Sequence, residues 1–241
     1  MKLTVLGRYS PYPPPGGACV SYLLSAGETQ ILIECGSGAV SRLQEVSHWN
    51  NLSAVVLSHL HGDHMSDMLV LKYAVYLDAL SGKRKEPLIV YCPAEPGAER
   101  SLLDYKGAVK VVPVGPGDTV EIGGVSVRFV AAVHSIPALS MSFECQGKRL
   151  VYSGDTEPNP ALRALAERAD MLLCEATLTE DRKGPGHMTG ADAGRLATEA
   201  KVGRLLVTHF ETRFPDRRSM REARGLFAAA IEVEQGVSYD V

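Results

Sequence analysis

The fold of this 241-residue chain is decided by Ala54-Val55-Val56-Leu57-Ser58, followed at once by His59-Leu60-His61-Gly62-Asp63-His64. The first of these segments is apolar and rich in β-branched residues, which predicts a buried strand. In extended backbone, side chains two residues apart point the same way, so His59 and His61 can converge on one metal ion. Gly62 permits a sharp turn, after which Asp63 and His64 can face a second ion. The sequence therefore predicts a metal centre at the end of a strand.

Simpler structural roles exist for these residues when each is taken alone. Asp63 could cap the N-terminus of a helix, and His59 could be a core histidine with satisfied hydrogen bonds. Neither role accounts for three imidazoles and one carboxylate within six residues. Imidazole and carboxylate ligands favour Zn²⁺, with Mn²⁺ or iron as alternatives. The metal interpretation is therefore preferred.

The composition is that of an ordinary globular protein, with 45% hydrophobic and 22% charged residues. A net charge of -3 excludes nucleic-acid binding through overall charge. Five cysteines stand singly, which is typical of reduced thiols in a cytoplasmic protein. The N-terminus is strand-like without a signal peptide, and no apolar run is long enough for a membrane span. We therefore expect a cytoplasmic protein that does not enter a membrane.

Strand-like runs separated by Gly, Pro and Asn alternate with helical patterns along the chain. Helical periodicity covers residues 41–49, 66–80, 159–168, 191–201 and 215–231. In each half, strands come first in runs and then alternate with helices. This order predicts an α/β fold, a four-layer αββα sandwich of two mixed β-sheets flanked by helices. The Pro-rich residues 11–17 lie too near the N-terminus to be a linker, so we expect one domain over residues 1–241.

The histidine motif is similar to the His-x-His-x-Asp-His signature of the metallo-β-lactamase superfamily. Three further candidates follow predicted strands in that family's order, namely His134, Asp155 within Gly154-Asp155-Thr156, and His209. The resemblance implies the metallo-β-lactamase fold and two metal ions. One ion would be held by His59, His61 and His134, and the other by Asp63, His64 and His209. Asp155 would bridge them, because a carboxylate has two oxygens.

Ligand identity narrows the choice within the superfamily. Zinc β-lactamases of the common type have Cys where Asp155 stands, and oxygen-reducing diiron members have Glu in place of His61 and a flavin domain. Ribonuclease Z-like phosphodiesterases, glyoxalase II-like thioesterases and lactonases remain. Glu175-Ala176-Thr177, His187-Met188-Thr189 and His209-Phe210-Glu211-Thr212-Arg213-Phe214 resemble the Glu-Ala-Thr, His-Ser-Thr and His-Phe-Ser-x-Arg-Tyr segments of ribonuclease Z. Met188 and Glu211 depart from that pattern.

The long arm with which ribonuclease Z clamps tRNA commonly follows the strand after the position of His134. Here 20 residues separate His134 from Asp155, and one hairpin turning at Gln146-Gly147 uses nearly all of them. The acidic chain also shows no basic stripe for the many phosphates of tRNA. We therefore expect the chemistry of ribonuclease Z without its clamp, acting on a small phosphodiester or short nucleic acid.

This interpretation gives each remaining candidate a role in phosphodiester cleavage. Two metal ions would activate a water and stabilise the phosphoryl oxygens, while Asp63 would accept a hydrogen bond from the nucleophile. His187 would protonate the leaving alkoxide, with Glu175 orienting its ring. Arg213 would bind a phosphate oxygen. For Glu175 and Arg213, an ordinary surface ion pair is the alternative.

Two other functions stay open. A thioester or lactone hydrolase could use the same metal centre, but it would give no reason for His187 to follow Glu-Ala-Thr. A structural or sensory metal site is the second alternative, which the complete ligand set disfavours. The helix predicted over residues 66–80 is apolar on more than one face, which indicates either a buried helix or a dimer interface. The resemblance favours a homodimer.

Overall fold

The strand-like and helical segments of the sequence form regular elements in the computed structural model, which describes residues 1–213 and 217–241. Strands β1 to β16 are, in chain order, Lys2–Gly7, Tyr9–Ser10, Ser21–Ala26, Thr29–Ile33, Ala54–Val56, Leu88–Pro93, Val109–Val114, Thr119–Ile122, Val125–Ala131, Leu139–Cys145, Lys148–Tyr152, Met171–Glu175, Arg204–Thr208, Phe210–Glu211, Ile231–Glu232 and Ser238–Asp240. Helices α1 to α7 are Ala39–Val46, Gly62–Met65, Met68–Leu80, Gly97–Ser101, Pro160–Ala166, Gly190–Glu199 and Arg218–Leu226.

Two seven-stranded mixed sheets contain most of these strands. Their orders are β16-β1-β3-β4-β5-β6-β7 and β15-β13-β12-β11-β10-β9-β8. In the first sheet the pairings from β16 to β4 are antiparallel and those from β4 to β7 are parallel. In the second sheet the pairings from β8 to β11 are antiparallel and those from β11 to β15 are parallel. A short parallel ribbon joins β2 to β14.

Three apolar clusters hold the layers together. The central cluster lies between the sheets and includes the fully buried Phe129 and Tyr152. A second cluster packs the first sheet against α1 and α3 through Leu43 and Leu71. A third packs the second sheet against α5, α6 and α7, with Leu196 among its members. These four layers confirm the predicted αββα sandwich of two mixed sheets.

Side-chain caps determine where two of the helices that pack on the second sheet begin. The Asn159 side chain accepts a hydrogen bond from the backbone N–H of Leu162, so α5 starts with Pro160 in its first turn. Thr189 and Asp192 form a reciprocal capping box at the start of α6. Because Thr189 comes two residues after His187, this cap anchors the end of the loop that carries His187.

The structure corrects several predicted boundaries. The helix predicted over residues 66–80 begins at Met68, because Ser66 ends the preceding short helix α2. The strand expected to lead directly into His134 ends at Ala131. Of the helix predicted over residues 215–231, α7 forms the middle and Ile231 belongs to β15, where pairing with β13 overrides the local pattern. Residues 215 and 216 lie outside the described residues.

Helix α3 buries one face and exposes the other. Met68, Leu71 and Val75 are buried in the outer cluster of the first sheet. Five large apolar side chains on the helix are at least 44% exposed, namely Leu69, Val70, Tyr73, Leu77 and Leu80. A fully buried helix is therefore excluded. In the part of the chain that the structure describes, no helix is both long and apolar enough to cross a membrane.

The loop after β4 packs tightly against the histidine motif. The backbone N–H of Cys35 donates to the carbonyl of His64 at 2.7 Å. A Cβ added to Gly36 would lie 1.9 Å from the carbonyl oxygen of Asp63, so only glycine fits. Burial raises the pKa of the Cys35 thiol well above its usual value. The loop therefore supports the histidine motif through its backbone, and Cys35 is not a reactive thiolate.

We expect Gly36→Ala to lower the free energy of unfolding by about 1–3 kcal/mol, because the added methyl forces the loop away from α2. Urea titration of the purified variants measures this. Gly225→Ala is the matched control, since its added Cβ would meet no atom within 4 Å. That change should leave stability unchanged or raise it by up to about 1 kcal/mol. Equal stability of the two variants would contradict the packing argument.

Candidate metal centre

All seven predicted metal ligands lie together, at strand ends contributed by both sheets. His59 and His61 follow β5, Asp63 and His64 lie in α2, His134 follows β9, Asp155 follows β11 and His209 follows β13. Among the clusters of groups whose spacing could hold a metal ion are His59 with His61 and His134, and Asp63 with His64 and His209. The structure thus brings the candidates into two adjacent groups.

The first group has the spacing that a single zinc ion requires. Nε2 of His59 lies 3.0 Å from Nδ1 of His61, and Nε2 of His134 lies 3.1 Å from the same atom. Ligand atoms about 2.0–2.1 Å from a tetrahedral Zn²⁺ are roughly 3.3 Å apart. These three nitrogens therefore fit one ion.

The second group meets the first at Asp155. Nε2 of His64 and Nε2 of His209 are 3.3 Å apart, and each is 3.7 Å from Oδ2 of Asp63. Oδ2 of Asp155 lies 3.1 Å from His209, 3.4 Å from His64 and 3.8 Å from His59. Oδ1 of Asp155 is buried and has no hydrogen-bond partner among the described residues. A buried carboxylate with a spare oxygen between two imidazole groups suits a cation.

The protonation states of His59 and Asp155 favour metal binding. Burial lowers the pKa of His59 well below its usual value, which leaves a neutral imidazole with a free lone pair. Burial opposes the ionisation of Asp155, but the imidazoles of His209 and His64 outweigh it and hold the pKa well below its usual range. Neutral imidazoles and ionised carboxylates are the forms that bind metal ions.

Each of five candidate ligands also contacts an outer partner. The pairs are Ser58 Oγ with His59 Nδ1 at 2.9 Å, Gly186 O with His134 Nδ1 at 2.7 Å, Glu34 Oε1 with His64 Nδ1 at 3.4 Å, Thr177 Oγ1 with His209 Nδ1 at 2.6 Å, and Ser10 Oγ with Asp63 Oδ2 at 2.8 Å. Such contacts fix the ring orientation and tautomer, so that the opposite nitrogen can face the metal. Sequence reasoning missed the roles of Ser10 and Gly186, for which no motif gave a signal.

His187, which is partly exposed, pairs with the buried Glu175 beside the two groups. His187 Nδ1 donates to Glu175 Oε1 at 3.0 Å, and the Thr177 hydroxyl donates to Oε2 at 2.6 Å. Burial lowers the pKa of His187, but the carboxylates of Glu175 and Asp155 outweigh it and raise the pKa to about 9. Glu175 is 1% exposed, so the alternative of a surface ion pair is excluded for this residue.

Arg213 lies apart from the other candidates. Its side chain is 61% exposed, and its guanidinium pairs with the carboxylate of Glu211. It is not among the residues that line the cleft at the candidate centre. Arg213 therefore has an exposed side chain that pairs with the largely buried carboxylate of Glu211 outside the cleft lining, and Phe214 of the same motif lies outside the described residues.

A cleft of about 300 Å³ opens beside the two groups. Its lining residues are Ser10, Pro11, His61, Asp63, His134, Ser135, Asp155, Glu157, Pro185, Gly186 and His187. Ligand pockets commonly measure about 300–1,000 Å³, so this cleft suits a small ligand or one segment of a larger one.

Comparison with known proteins adds four findings. A family model described as a β-lactamase superfamily domain matches residues 29–210. The chain is 29% identical to the probable metallo-hydrolase YhfI of Bacillus subtilis, with 97% of this chain and 96% of the relative covered. The crystal structure of YhfI, a metallo-β-lactamase fold protein, covers 99% of both chains with a TM-score of 0.92 and 28% identity. A ribonuclease Z of Ignicoccus hospitalis is 27% identical, with 97% of this chain and 96% of the relative covered.

We expect Ser10→Ala to weaken zinc binding by about 10–100-fold, because the hydroxyl holds the Asp63 carboxylate in place. Competition against a fluorescent chelator measures the affinity without any substrate. Ser135→Ala is the matched control, because Ser135 lines the same cleft but has no hydrogen bond to a candidate ligand among the described residues. An unchanged affinity in Ser10→Ala would show that the contact does not position Asp63.

Proposed function

This chain belongs to the metallo-β-lactamase superfamily, and on that premise we propose that it is a dinuclear metal-dependent phosphodiesterase. Its substrate would be a small phosphodiester or a short nucleic acid. Hydrolase activity agrees with the metallo-hydrolase and ribonuclease Z relatives. The observation that carries the finer proposal is the pairing of His187 with the buried Glu175, because it places an imidazole ready to donate a proton beside the candidate metal groups.

Two divalent ions fit the ligand set. His59, His61 and His134 would hold one, while Asp63, His64 and His209 would hold the other, with Asp155 between them. Nitrogen and carboxylate ligands favour Zn²⁺, with Mn²⁺ or iron as alternatives. Bound ions would supply Lewis-acid stabilisation of phosphoryl oxygens and the activation of water at neutral pH.

The protein groups supply proton transfer and orientation. Nδ1 of His187 is engaged by Glu175, so Nε2 is the nitrogen left to donate a proton to a leaving alkoxide. Its raised pKa, about 9, keeps the imidazole protonated at neutral pH, as an acid requires. Asp63 lines the cleft, and Ser10 fixes its Oδ2, which leaves Oδ1 to accept a hydrogen bond from the nucleophile.

The acid pair also separates this function from thioester hydrolysis. An alkoxide is a poor leaving group and needs a proton, whereas a thiolate, with a parent pKa of about 8.5, departs without one. An imidazole at the cleft that is oriented by a buried carboxylate is therefore expected for a phosphodiester and unnecessary for a thioester. The ribonuclease Z relative supports the same choice.

The small size of the substrate rests on what this chain lacks relative to that ribonuclease Z. Their alignment runs over 293 positions, more than the 241 residues of this chain, so the relative carries insertions that are absent here. Between His134 and Asp155, the chain forms the hairpin β10–β11, which turns at Gln146 and Gly147 as expected. That segment therefore contains no clamping arm.

Two broader expectations remain predictions. The five cysteines are free in the structure, and four of them are buried, which supports a cytoplasmic location. The central apolar cluster is shared by both sheets, which supports one domain over residues 1–241.

We expect His187→Ala to slow cleavage of a dinucleotide by zinc- or manganese-loaded protein about 10²–10⁴-fold, because its alkoxide leaving group needs the acid. Cleavage of bis(p-nitrophenyl) phosphate, whose leaving group needs no proton, should fall much less. Asp63→Ala should abolish both activities. His48→Ala, at a half-buried histidine outside the metal-suited clusters, is the control and should abolish neither.

Other outcomes would favour the alternative functions. Turnover of a glutathione thioester or a simple lactone, indifferent to His187, would contradict the phosphodiesterase and leave the metal centre intact. Failure on every substrate class despite full metal loading would instead favour a structural or sensory site.

We also propose that the exposed apolar face of α3 is the interface of a homodimer. We expect light scattering to give twice the 25.9 kDa chain mass for the wild type and the chain mass for Val70→Glu. Burying a charge at such an interface without a partner is unfavourable. Val46→Glu, at a side chain on α1 that is 47% exposed, is the matched control and should stay dimeric. A monomeric wild type would exclude the dimer.

A further inference from the structure

One carboxylate of the cleft has no part in the proposed chemistry. The charged side chains other than histidine that line the cleft are Asp63, Asp155 and Glu157. Asp63 and Asp155 belong to the metal-suited clusters, but none of the clusters found among the described residues includes Glu157. Among the ion pairs of residues 1–213 and 217–241, none joins Glu157 to a lysine or an arginine. Neither a bound metal nor a basic side chain would neutralise its charge.

The position of Glu157 is fixed by backbone contacts on two sides. Its N–H donates to the carbonyl of Val133 at 2.9 Å, and its Oε1 accepts the N–H of Gly186 at 2.9 Å. Gly186 in turn accepts from His134 Nδ1 and directly precedes His187. The carboxylate is therefore held at the cleft wall, next to the loop that carries the proposed acid.

The charge of the substrate decides what this carboxylate does. A phosphodiester carries one negative charge, whereas a phosphomonoester approaches two above its second pKa of about 6. A carboxylate at the wall of a partly desolvated cleft repels the second charge more strongly than it would in bulk water. No lysine or arginine is among the described residues that line the cleft, so any attraction of the second charge would come from the bound ions and from His187, and Glu157 opposes it.

We propose that Glu157 is a specificity-determining residue, which selects monoanionic phosphodiesters against dianionic phosphomonoesters. This inference rests on the proposed phosphodiesterase function and names the charge class of its substrate. The substitution Glu157→Gln tests the charge apart from the hydrogen bond. Glutamine keeps an oxygen that can accept from the Gly186 N–H and removes the negative charge.

The test compares Glu157→Gln and Glu157→Asp with the wild type. The kcat/KM values for bis(p-nitrophenyl) phosphate and p-nitrophenyl phosphate are measured at pH 8 with zinc-loaded protein. In Glu157→Gln the preference for the diester should fall about tenfold, through a lower KM for the monoester. Glu157→Asp keeps the charge and should keep most of the preference.

A binding measurement makes the test independent of turnover. Calorimetric titration with phenylphosphonate, a dianion, and with its monomethyl ester, a monoanion, reports the charge effect directly. Glu157→Gln should gain about tenfold in affinity for the dianion relative to the monoanion.

An unchanged ratio in both measurements, with diester cleavage intact, would overturn the role of Glu157 and leave the phosphodiesterase standing. A fall in the preference for the diester in Glu157→Ala that is absent from Glu157→Gln would also overturn the charge-based role of Glu157. The hydrogen bond to Gly186 would then be the cause of the preference. A wild type without diester turnover would overturn the proposed function, while phenylphosphonate binding would still decide the charge effect.

Discussion

The arrangement of this protein depends on the contact of one buried carboxylate with imidazoles from both of its sheets. Oδ2 of Asp155, at the end of β11, lies within 3.8 Å of His59, His64 and His209. An ionised carboxylate in such a position requires positive charge close by, because water does not solvate it. Burial lowers the pKa of His64, but the carboxylates of Asp155 and Glu34 outweigh it and raise that pKa well above its usual value.

The sequence singles out candidate ligands that the structure brings together, because their signal is local. Each lies in a short motif or directly beyond an apolar strand, and such patterns survive without knowledge of the fold. The four layers follow for the same reason, since runs of strands alternate with amphipathic helices in each half. By contrast, the starts of α3 and α7 were misplaced. The short helix α2 and the pairing of β15 with β13 are set by tertiary contacts that periodicity does not report.

The outer contacts made by Ser10 and Gly186 could not be predicted, because they join residues far apart in sequence. Ser10 reaches Asp63 across 53 positions, and Gly186 reaches His134 across 52. Glu175 and Arg213 show that the sequence does not report burial. Glu175 ends strand β12 and Arg213 comes shortly after strand β14, so their places in the sequence pattern are similar. The fold buries Glu175 against His187, whereas Arg213 is exposed and paired with Glu211. Burial separates the two roles, and motif similarity alone does not.

The backbone of Gly186 is in contact with, or adjacent to, three different parts of the site. Its carbonyl accepts from His134, its N–H is held by Glu157, and the next residue is His187. A shift of this one backbone unit would disturb a candidate ligand, the acidic wall of the cleft and the imidazole together. Insertions or substitutions in this loop are therefore expected to affect His134, Glu157 and His187 at the same time. Ser10 and Pro11 also line the cleft, but their contacts reach Asp63, Glu211 and Cys19 and none of them involves the Gly186 backbone, so a change there would leave the loop of His187 in place.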